Sequence, residues 1–431
     1  MTKPKEDQLV FSARFPGLID IVDNDGKPSF LVMVEGQPEC VAEWQGKRPP
    51  PRDGLPFLLP RLQAVLDAYS TDTNDALFAD LVDYFASVSE LPSDAHRLLL
   101  AAFTAHTYLM ERWAYSPMLL FFAVPERGKS RTGKAIAYAS YRGLHSETLR
   151  EPNLFRWSHD LGATLFLDVR DIWRKAEKRG ADDILLQRFE RGAKVSRVLY
   201  PDRGPFRDTR YFEVFGPTVI ATNEPADHIL NSRTITINMP DSEQDFPVSV
   251  TPERGLLLRE RLVAFRARYL EAELPNTPRL ARARLGDIVH PLATIVQIMA
   301  PQHLEAFRAL VGTIETARLA DKSTTLEARI IEAMLGLADK VEGGKLGVQA
   351  ITVAINEGQS DRYRRGSRSV GRKLTALGLT RARFSDGTHA VEYDEEKLAK
   401  LAARYGVHVP METTSVSSET SAPDISHPRR S

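Results

Sequence analysis

The stretch MLLFFAVPERGKSRTGKAIAYASYRG, Met118 to Gly143, constrains this chain more than any other. It sets a long apolar run directly before a loop rich in Gly, Arg and Lys. An apolar run of this kind reads as a strand buried on both faces, the hallmark of a parallel sheet covered by helices. Two overlapping frames approach the GxxxxGKS/T pattern of a phosphate-binding loop. AVPERGKS, Ala123 to Ser130, departs by opening with Ala, and GKSRTGKA, Gly128 to Ala135, by closing with Ala.

Physical requirements separate the two frames. The loop must leave a buried strand, turn successive backbone N–H groups around an anion, and open a helix whose N-terminus faces the phosphates. In the first frame the strand Met118 to Val124 flows into the loop, Lys129 can reach the outer phosphates, and the Ser130 hydroxyl can ligate Mg²⁺. In the second, Ala135 supplies no oxygen for the metal. Lys129 and Ser130 are therefore the working pair, with Ala123 tolerable where only a small side chain is needed. The competing reading is an ordinary strand-to-helix turn rich in basic residues.

Charge and cysteine content narrow the setting. With 57 basic and 57 acidic residues the formal charge is zero, so nucleic-acid binding would have to come from a local patch. Cys40 is the only cysteine, which excludes an internal disulfide and suits a reducing compartment. The start MTKPKEDQLV is charged where a secretory signal would be apolar, and no stretch reaches the roughly 18 apolar residues of a membrane span. A cytoplasmic protein without a membrane partner is expected.

The 431 residues suit about three domains of ordinary size. Residues 1–56 read as a small β-rich region and linker, with a hairpin at Asn24-Asp25-Gly26 and a break at GKRPPPRDGLP. Residues 57–97 read as a helical collar; Leu77, Leu81, Val82 and Phe85 form one apolar face, and Leu98 to Met110 starts a more buried helix. Strand and helix patterns alternate through 98–245, as in a parallel sheet flanked by helices, and 246–320 is helical. A hydrophilic hinge near Asp321 to Thr325 precedes a last unit, 323–409, and the polar residues 410–431 read as a disordered tail.

Partners for the loop follow in order. GATLFLDVRDIW supplies a second buried strand, Thr164 to Leu167, ending in Asp168, where a metal shell needs a carboxylate; a helix-capping Asp is the alternative. PTVIATN, Pro217 to Asn223, ends a third strand in an amide suited to orient an attacking water, or to make a turn before Glu224-Pro225. In NSRTITINMP, Arg233 leads a short strand; its planar, permanently charged fork suits a developing phosphoryl charge, and a surface salt bridge is the alternative.

In this order the motifs, with TYLMERWAYSPMLLFF, RFERGAKVSRV, VFGPTVIATNEP and ILNSRTITINM around them, resemble the AAA+ class of ATPases. The likeness is to the helicase-like ATPases of phages, plasmids and other mobile elements, relatives of mini-chromosome-maintenance helicases, and covers roughly Leu98 to Ala300. It implies an α/β P-loop core with a helical lid, binding ATP and Mg²⁺ in a homo-oligomer, in this family a hexamer, that acts on single- or double-stranded DNA. It puts Pro125, Glu126, Arg127, Gly128, Lys129, Ser130 and Arg131 on the nucleotide loop, Asp168 on the metal acid, Asn223 on the sensor and Arg233 on an arginine finger able to act in trans. Arg284 falls near the second sensor of the lid. The chain departs from the family where Val169 stands in place of the Glu that follows the metal acid. Val cannot accept a proton, so Asp171, Glu190 or a carboxylate from elsewhere must substitute, with Asp171 on the first turn of the next helix the nearest, or hydrolysis is slow.

From Thr325 the pattern is helix, helix, helix, hairpin, which looks like a winged helix. LEARIIEAMLGLA is the first helix, with Ser323 or Thr324 placed to cap it, GVQAITVAINEG the second and SRSVGRKLTALGL the third. A two-residue turn is expected at Asp386-Gly387. Arg362, Arg364, Arg365, Arg368, Arg372, Lys373, Arg381 and Arg383 follow one another with no intervening acid, a local footprint for the phosphates of DNA or, on the alternative reading, a solvated surface.

Overall fold

A computed structural model describes residues 10–224 and 228–407. They form two compact units that divide between Ile314 and Glu315. The first opens with an antiparallel meander of β1 (Leu18–Asn24), β2 (Lys27–Val34) and β3 (Gln37–Val41). The expected hairpin closes through Asp25 and Gly26, both at positive φ, the conformation a tight two-residue turn requires. Three helices follow: α1 (Leu62–Thr71), α2 (Asn74–Ala86) and α3 (Asp94–His106). Leu77, Leu81 and Phe85 of α2 are buried as the periodicity requires, Val82 only partly, and α3 is buried continuously from Leu98 to His106.

The centre is a parallel sheet of β4 (Met118–Phe122), β5 (Leu144–Ser146), β6 (Leu165–Asp168), β9 (Thr218–Thr222) and β10 (Thr234–Asn238). Between β6 and β9 the chain makes an antiparallel hairpin, β7 (Lys194–Val198) with β8 (Thr209–Glu213). The order across the parallel sheet is β10-β4-β9-β6-β5, so β9 lies between β4 and β6. Helices α4 (Lys129–Ala139), α5 (Glu151–Leu161), α6 (Ile172–Arg179) and α7 (Asp182–Gln187) connect the strands, and α8 (Pro252–Tyr269), α9 (Ala283–Met299) and α10 (Leu304–Ser323) follow. The architecture is α/β, a parallel sheet flanked by helices. Helix α8 meets α4 so closely that a Cβ at Gly255 would overlap the Tyr138 backbone.

Buried arginines lock this unit together. Arg142 pairs with Asp20 of β1 at 2.8 Å, both about 1% exposed, which joins the meander to the loop before β5. Among the described residues, Arg188 has no carboxylate partner. Its guanidinium donates to Thr218 Oγ1 at 2.7 Å, to Ser158, and to the carbonyls of Ala163, Val214 and Pro217, fixing the amino ends of β6 and β9. Such multiple donation offsets the cost of burying the charge.

The second unit contains α11 (Leu326–Gly336), β11 (Lys345–Gly347), α12 (Val348–Asn356), α13 (Ser367–Ala376), β12 (Arg381–Arg383), β13 (His389–Glu392) and α14 (Glu395–Tyr405). Its antiparallel sheet has the order β11-β13-β12, and Ile330, Met334, Ile351, Val370, Leu374, Val391 and Leu398 fill its core. The break expected near Asp321 to Thr325 narrows to Thr324 and Thr325, because α10 stays helical through Ser323. Two expectations are corrected here. Thr325 rather than Ser323 or Thr324 caps α11, accepting from the Ala328 amide, because it stands directly before Leu326, the first residue of the helix. The β12–β13 turn needs three residues, not two, because Phe384 and Thr388 still pair and Gly387 supplies the positive φ. The tail 410–431 lies outside the described residues.

Candidate functional site

The carboxyl ends of β4, β9 and β6 open on a cavity of about 530 Å³, within the ~300–1,000 Å³ usual for small-molecule sites. Pro125, Glu126, Arg127, Gly128, Lys129, Ser130 and Arg131 line one side, Asp168 and Asn223 another, and Glu147 and Arg170, neither singled out by the sequence, complete it. Register explains the convergence. Ala221 of β9 pairs with Phe121 of β4 on one side and Asp168 of β6 on the other, which puts Asn223 between the loop and Asp168.

The loop is the first of the two frames. Strand β4 ends at Phe122 and helix α4 begins at Lys129, with Glu126 and Gly128 in the left-handed region at φ 66° and 76°. Alternating backbone of this kind turns amide groups inward as an anion nest, and the start of α4 adds its own unpaired N–H groups. Lys129 is buried, its Nζ donating to the Ala123 and Val124 carbonyls at 2.8 and 2.6 Å. Burial pushes its ammonium below the ordinary lysine range, and the charge of Asp168 acts in the opposite sense. Ser130 is exposed at the rim.

Other members of the loop are tied elsewhere. Arg131 donates to the carbonyls of Val88 and Phe246 at 2.7 Å and to that of Val248, so its guanidinium braces the loop from behind. Arg127 pairs with Asp241 at 2.6 Å. Gly133 and Lys134 of the rejected frame lie inside α4.

Asp171 does not sit on the first turn beside Asp168. It is the N-cap of α6 in the left-handed conformation, φ 52°, and does not line the cavity. A hydrogen bond with Glu224, then Arg174 and its basic neighbours, holds the Asp171 carboxyl below the usual carboxylate range and pushes Glu224 above it. Val169 is 2% exposed and packs into the core. Glu190 bridges to Tyr115, near Arg233.

Arg233 precedes Thr234, which is in register with Met118, the first residue of β4. The cavity opens at the other end of that strand, about 13 Å away along the sheet. Arg284 is not in the cavity either. It donates to Ser232 at 2.8 Å, and the Arg233 and Arg284 guanidinia each lie 5.8 Å from the centre of the Phe189 ring. Burial and the nearby Arg284 charge lower the Arg233 pKa, and the buried Arg233 Nε has no partner.

The β7–β8 hairpin was not anticipated, because its strands are too polar to stand out as core. Its root is fixed by Phe212, 2% exposed and 4.4 Å from the Phe155 ring of α5. Beyond the root, Val198, Tyr200, Phe206 and Tyr211 are exposed, and the Arg203 guanidinium lies 3.9 Å from the Tyr200 ring centre.

In the second unit, Arg362, Arg364, Arg365, Arg368, Arg372, Arg381 and Arg383 are exposed. Arg368 and Arg372 are one turn apart on α13, away from buried Val370 and Leu374. Lys373 turns toward α11 and pairs with Glu327 at 2.5 Å. Asn356 clamps the Arg365 backbone through two 2.8 Å hydrogen bonds.

No protein-family model and no curated protein matches this chain. Among solved structures, it is similar to the C-terminal region of NrS-1, with 12% identity and a TM-score of 0.36 over 87% of this chain and 96% of that one. JCV helicase aligns with 14% identity and a TM-score of 0.25 over 58% and 76%, and Drosophila ORC bound to DNA with 12% and 0.19 over 77% and 93%. No helix among the described residues is long and apolar enough to cross a membrane, and none of these residues form a cluster of three or more His, Cys, Asp or Glu able to hold a metal.

Proposed function

We propose that this chain is a Mg²⁺-dependent ATPase that couples hydrolysis to DNA, a helicase- or translocase-like enzyme for replication of a mobile element, working as a ring of identical subunits. The convergence of Lys129, Asp168 and Asn223 on one cavity at the end of a strand-to-helix loop carries this reading. The amides of the loop and the α4 N-terminus bind the phosphates, and Lys129 swings from its carbonyl contacts to the outer ones. Ser130 and Asp168 would hold Mg²⁺, with phosphate and water oxygens completing its shell; the ion would neutralise charge developing on the phosphates. Asn223, between them, orients the attacking water.

Arg233 and Arg284 support the ring. They stand at the opposite end of the sheet from their own cavity, over the same Phe189 ring, and among the described residues neither forms an ion pair, so the phosphate they suit is one bound by a neighbouring subunit. Two surfaces support DNA binding: the hairpin, whose exposed aromatic and arginine side chains suit stacked bases and phosphates, and the basic face of residues 323–407, read as a winged helix. The burial of Val169 favours a second reading, an ATP-gated DNA-binding switch with little turnover, since no acid follows Asp168 into the site.

ATP turnover with and without single- and double-stranded DNA, measured beside the mass of the ATP-bound assembly, decides between them. DNA-stimulated hydrolysis by an oligomer, lost in Lys129→Ala and kept in Lys134→Ala, is expected. Nucleotide-dependent DNA binding without turnover would favour the switch, and equal loss in both lysine variants would overturn the loop assignment.

A further inference from the structure

Hydrolysis requires a group to take the proton of the attacking water, and the residue after Asp168 cannot supply it. Among the described residues, the carboxylates lining the cavity are Glu126, Glu147 and Asp168. In-line displacement puts the nucleophile on the side of the terminal phosphate away from the leaving group. The loop and the α4 N-terminus embrace the phosphate chain, so Glu126, which is part of that loop, is on the wrong side. Asp168 is committed to the metal. Glu147 directly follows β5, the neighbour of β6, and so stands at the strand tips beyond Asp168.

Its surroundings leave Glu147 available. The side chain is 70% exposed, and among the described residues its one ionic neighbour is His145, at 3.9 Å. Burial, and then the charge of Lys134, hold His145 below the usual histidine range despite the opposing pull of Glu147 and Asp168, so His145 is neutral near pH 7 and does not neutralise the carboxylate. The His145 ring stacks on Phe166 of β6 at 4.9 Å, which fixes the strand tip next to the cavity. Asp171, by contrast, is held by Glu224 and Arg174 outside the cavity.

We propose that Glu147 is the general base for hydrolysis. This rests on the ATPase reading above. The water oxygen bonds to the terminal phosphorus as the bond from that phosphorus to the bridging oxygen breaks; ADP leaves with that electron pair, and the water proton passes to a Glu147 carboxylate oxygen, then to solvent. Asn223 and Glu147 would hold the water from either side of Asp168.

The test uses the full chain with Mg²⁺ and DNA, measuring steady-state turnover and, separately, the affinity for a non-hydrolysable ATP analogue. Glu147→Gln should lower kcat by about 10²–10⁴-fold and leave affinity unchanged. Glu147→Ala should regain part of its rate with added formate, an external base that a purely structural loss would not accept, and Asp171→Asn should keep most of its turnover. A wild type that hydrolyses ATP while Glu147→Gln keeps its rate, loses nucleotide affinity in parallel, or loses rate in a form that formate does not restore in Glu147→Ala overturns the Glu147 role alone. A wild type that binds the analogue and never turns over ATP overturns the ATPase reading, and the base with it.

Discussion

Gly133 of α4 lies against the Phe166 ring of β6 so closely that a Cβ would overlap the ring edge. The second glycine of the rejected loop frame therefore serves helix-to-sheet packing, which brings the start of α4 down onto the strand that carries Asp168. Ala is the better helix former by roughly 1 kcal/mol, so on propensity alone Gly133→Ala would stabilise. Overpacking of about 1–3 kcal/mol or more opposes it, and the rigid ring has little room to give. Gly133→Ala should lower the denaturation midpoint, and adding Phe166→Leu should recover part of the loss. A more stable single variant would refute the contact.

Much of this site was legible because its parts lie on long apolar strands with polar ends. Met118 to Phe122, Leu165 to Asp168 and Thr218 to Asn223 each announce a buried strand and the side chain at its tip. What could not be read was how strands far apart in sequence pair. Arg233 and Arg284, 51 residues apart, meet over Phe189 only through folding. Glu147 follows a strand of three residues, too short for any pattern to register. Asp171 was misplaced because helical spacing was assumed one residue too early, across a backbone that turns left-handed there.

Arg233 and Arg284 should behave alike. Since neither lines the cavity of its own chain, alanine at either position should leave ATP affinity nearly intact and stop hydrolysis. Mixing either variant with Lys129→Ala subunits should restore some turnover, because a hybrid interface would pair an intact loop with an intact arginine pair. Weakened ATP binding by an Arg284→Ala subunit alone would return that residue to its own nucleotide.

The exposed aromatic residues of the β7–β8 hairpin should matter for DNA and not for ATP. Phe206 and Tyr211 are 101% and 63% exposed, so replacing both with Ala removes little packing. Stacking of a base on an aromatic ring contributes about 1–3 kcal/mol, so the double variant should lose roughly tenfold or more in single-stranded DNA affinity. Basal ATP turnover should be unchanged while its stimulation by DNA falls. Unaltered stimulation would remove the hairpin from the DNA path.

In the terminal unit, Arg368 and Arg372 should be separable from Lys373. A fragment spanning 315–407 carries its own core and should bind duplex DNA with strong salt dependence. Each phosphate contact contributes about 0.9 to the slope of log affinity against log salt, so Arg368→Ala with Arg372→Ala should flatten it by about two units. Lys373→Ala should leave the slope unchanged and lower stability slightly, because its charge faces Glu327. A slope indifferent to the two arginines would make this a solvated surface.

His106 predicts how the first unit responds to acid. The ring is fully buried, its Nε2 is 3.0 Å from the Ser116 hydroxyl, and its Nδ1 has no partner. Burial lowers its pKa from 6.5 to about 3, with only a weaker opposing pull from Glu111. The unfolded chain therefore takes up a proton below about pH 6.5 that the folded chain refuses until about pH 3. The neutral ring's contribution is complete above the unfolded value and is lost as pH falls toward the folded one, by about 1.4 kcal/mol per unit. Near pH 5 that is about 2 kcal/mol, enough to matter in a protein of ordinary stability. His106→Gln should be less stable than wild type at pH 8, where it loses the ring's packing against Trp113, 5.2 Å away between centres. Denaturant titrations at pH 8 and pH 5 should show that deficit shrink by about 2 kcal/mol, because the variant carries no imidazole to protonate on unfolding. A deficit constant across this range would mean that His106 takes up its proton as readily in the folded protein as in the unfolded chain.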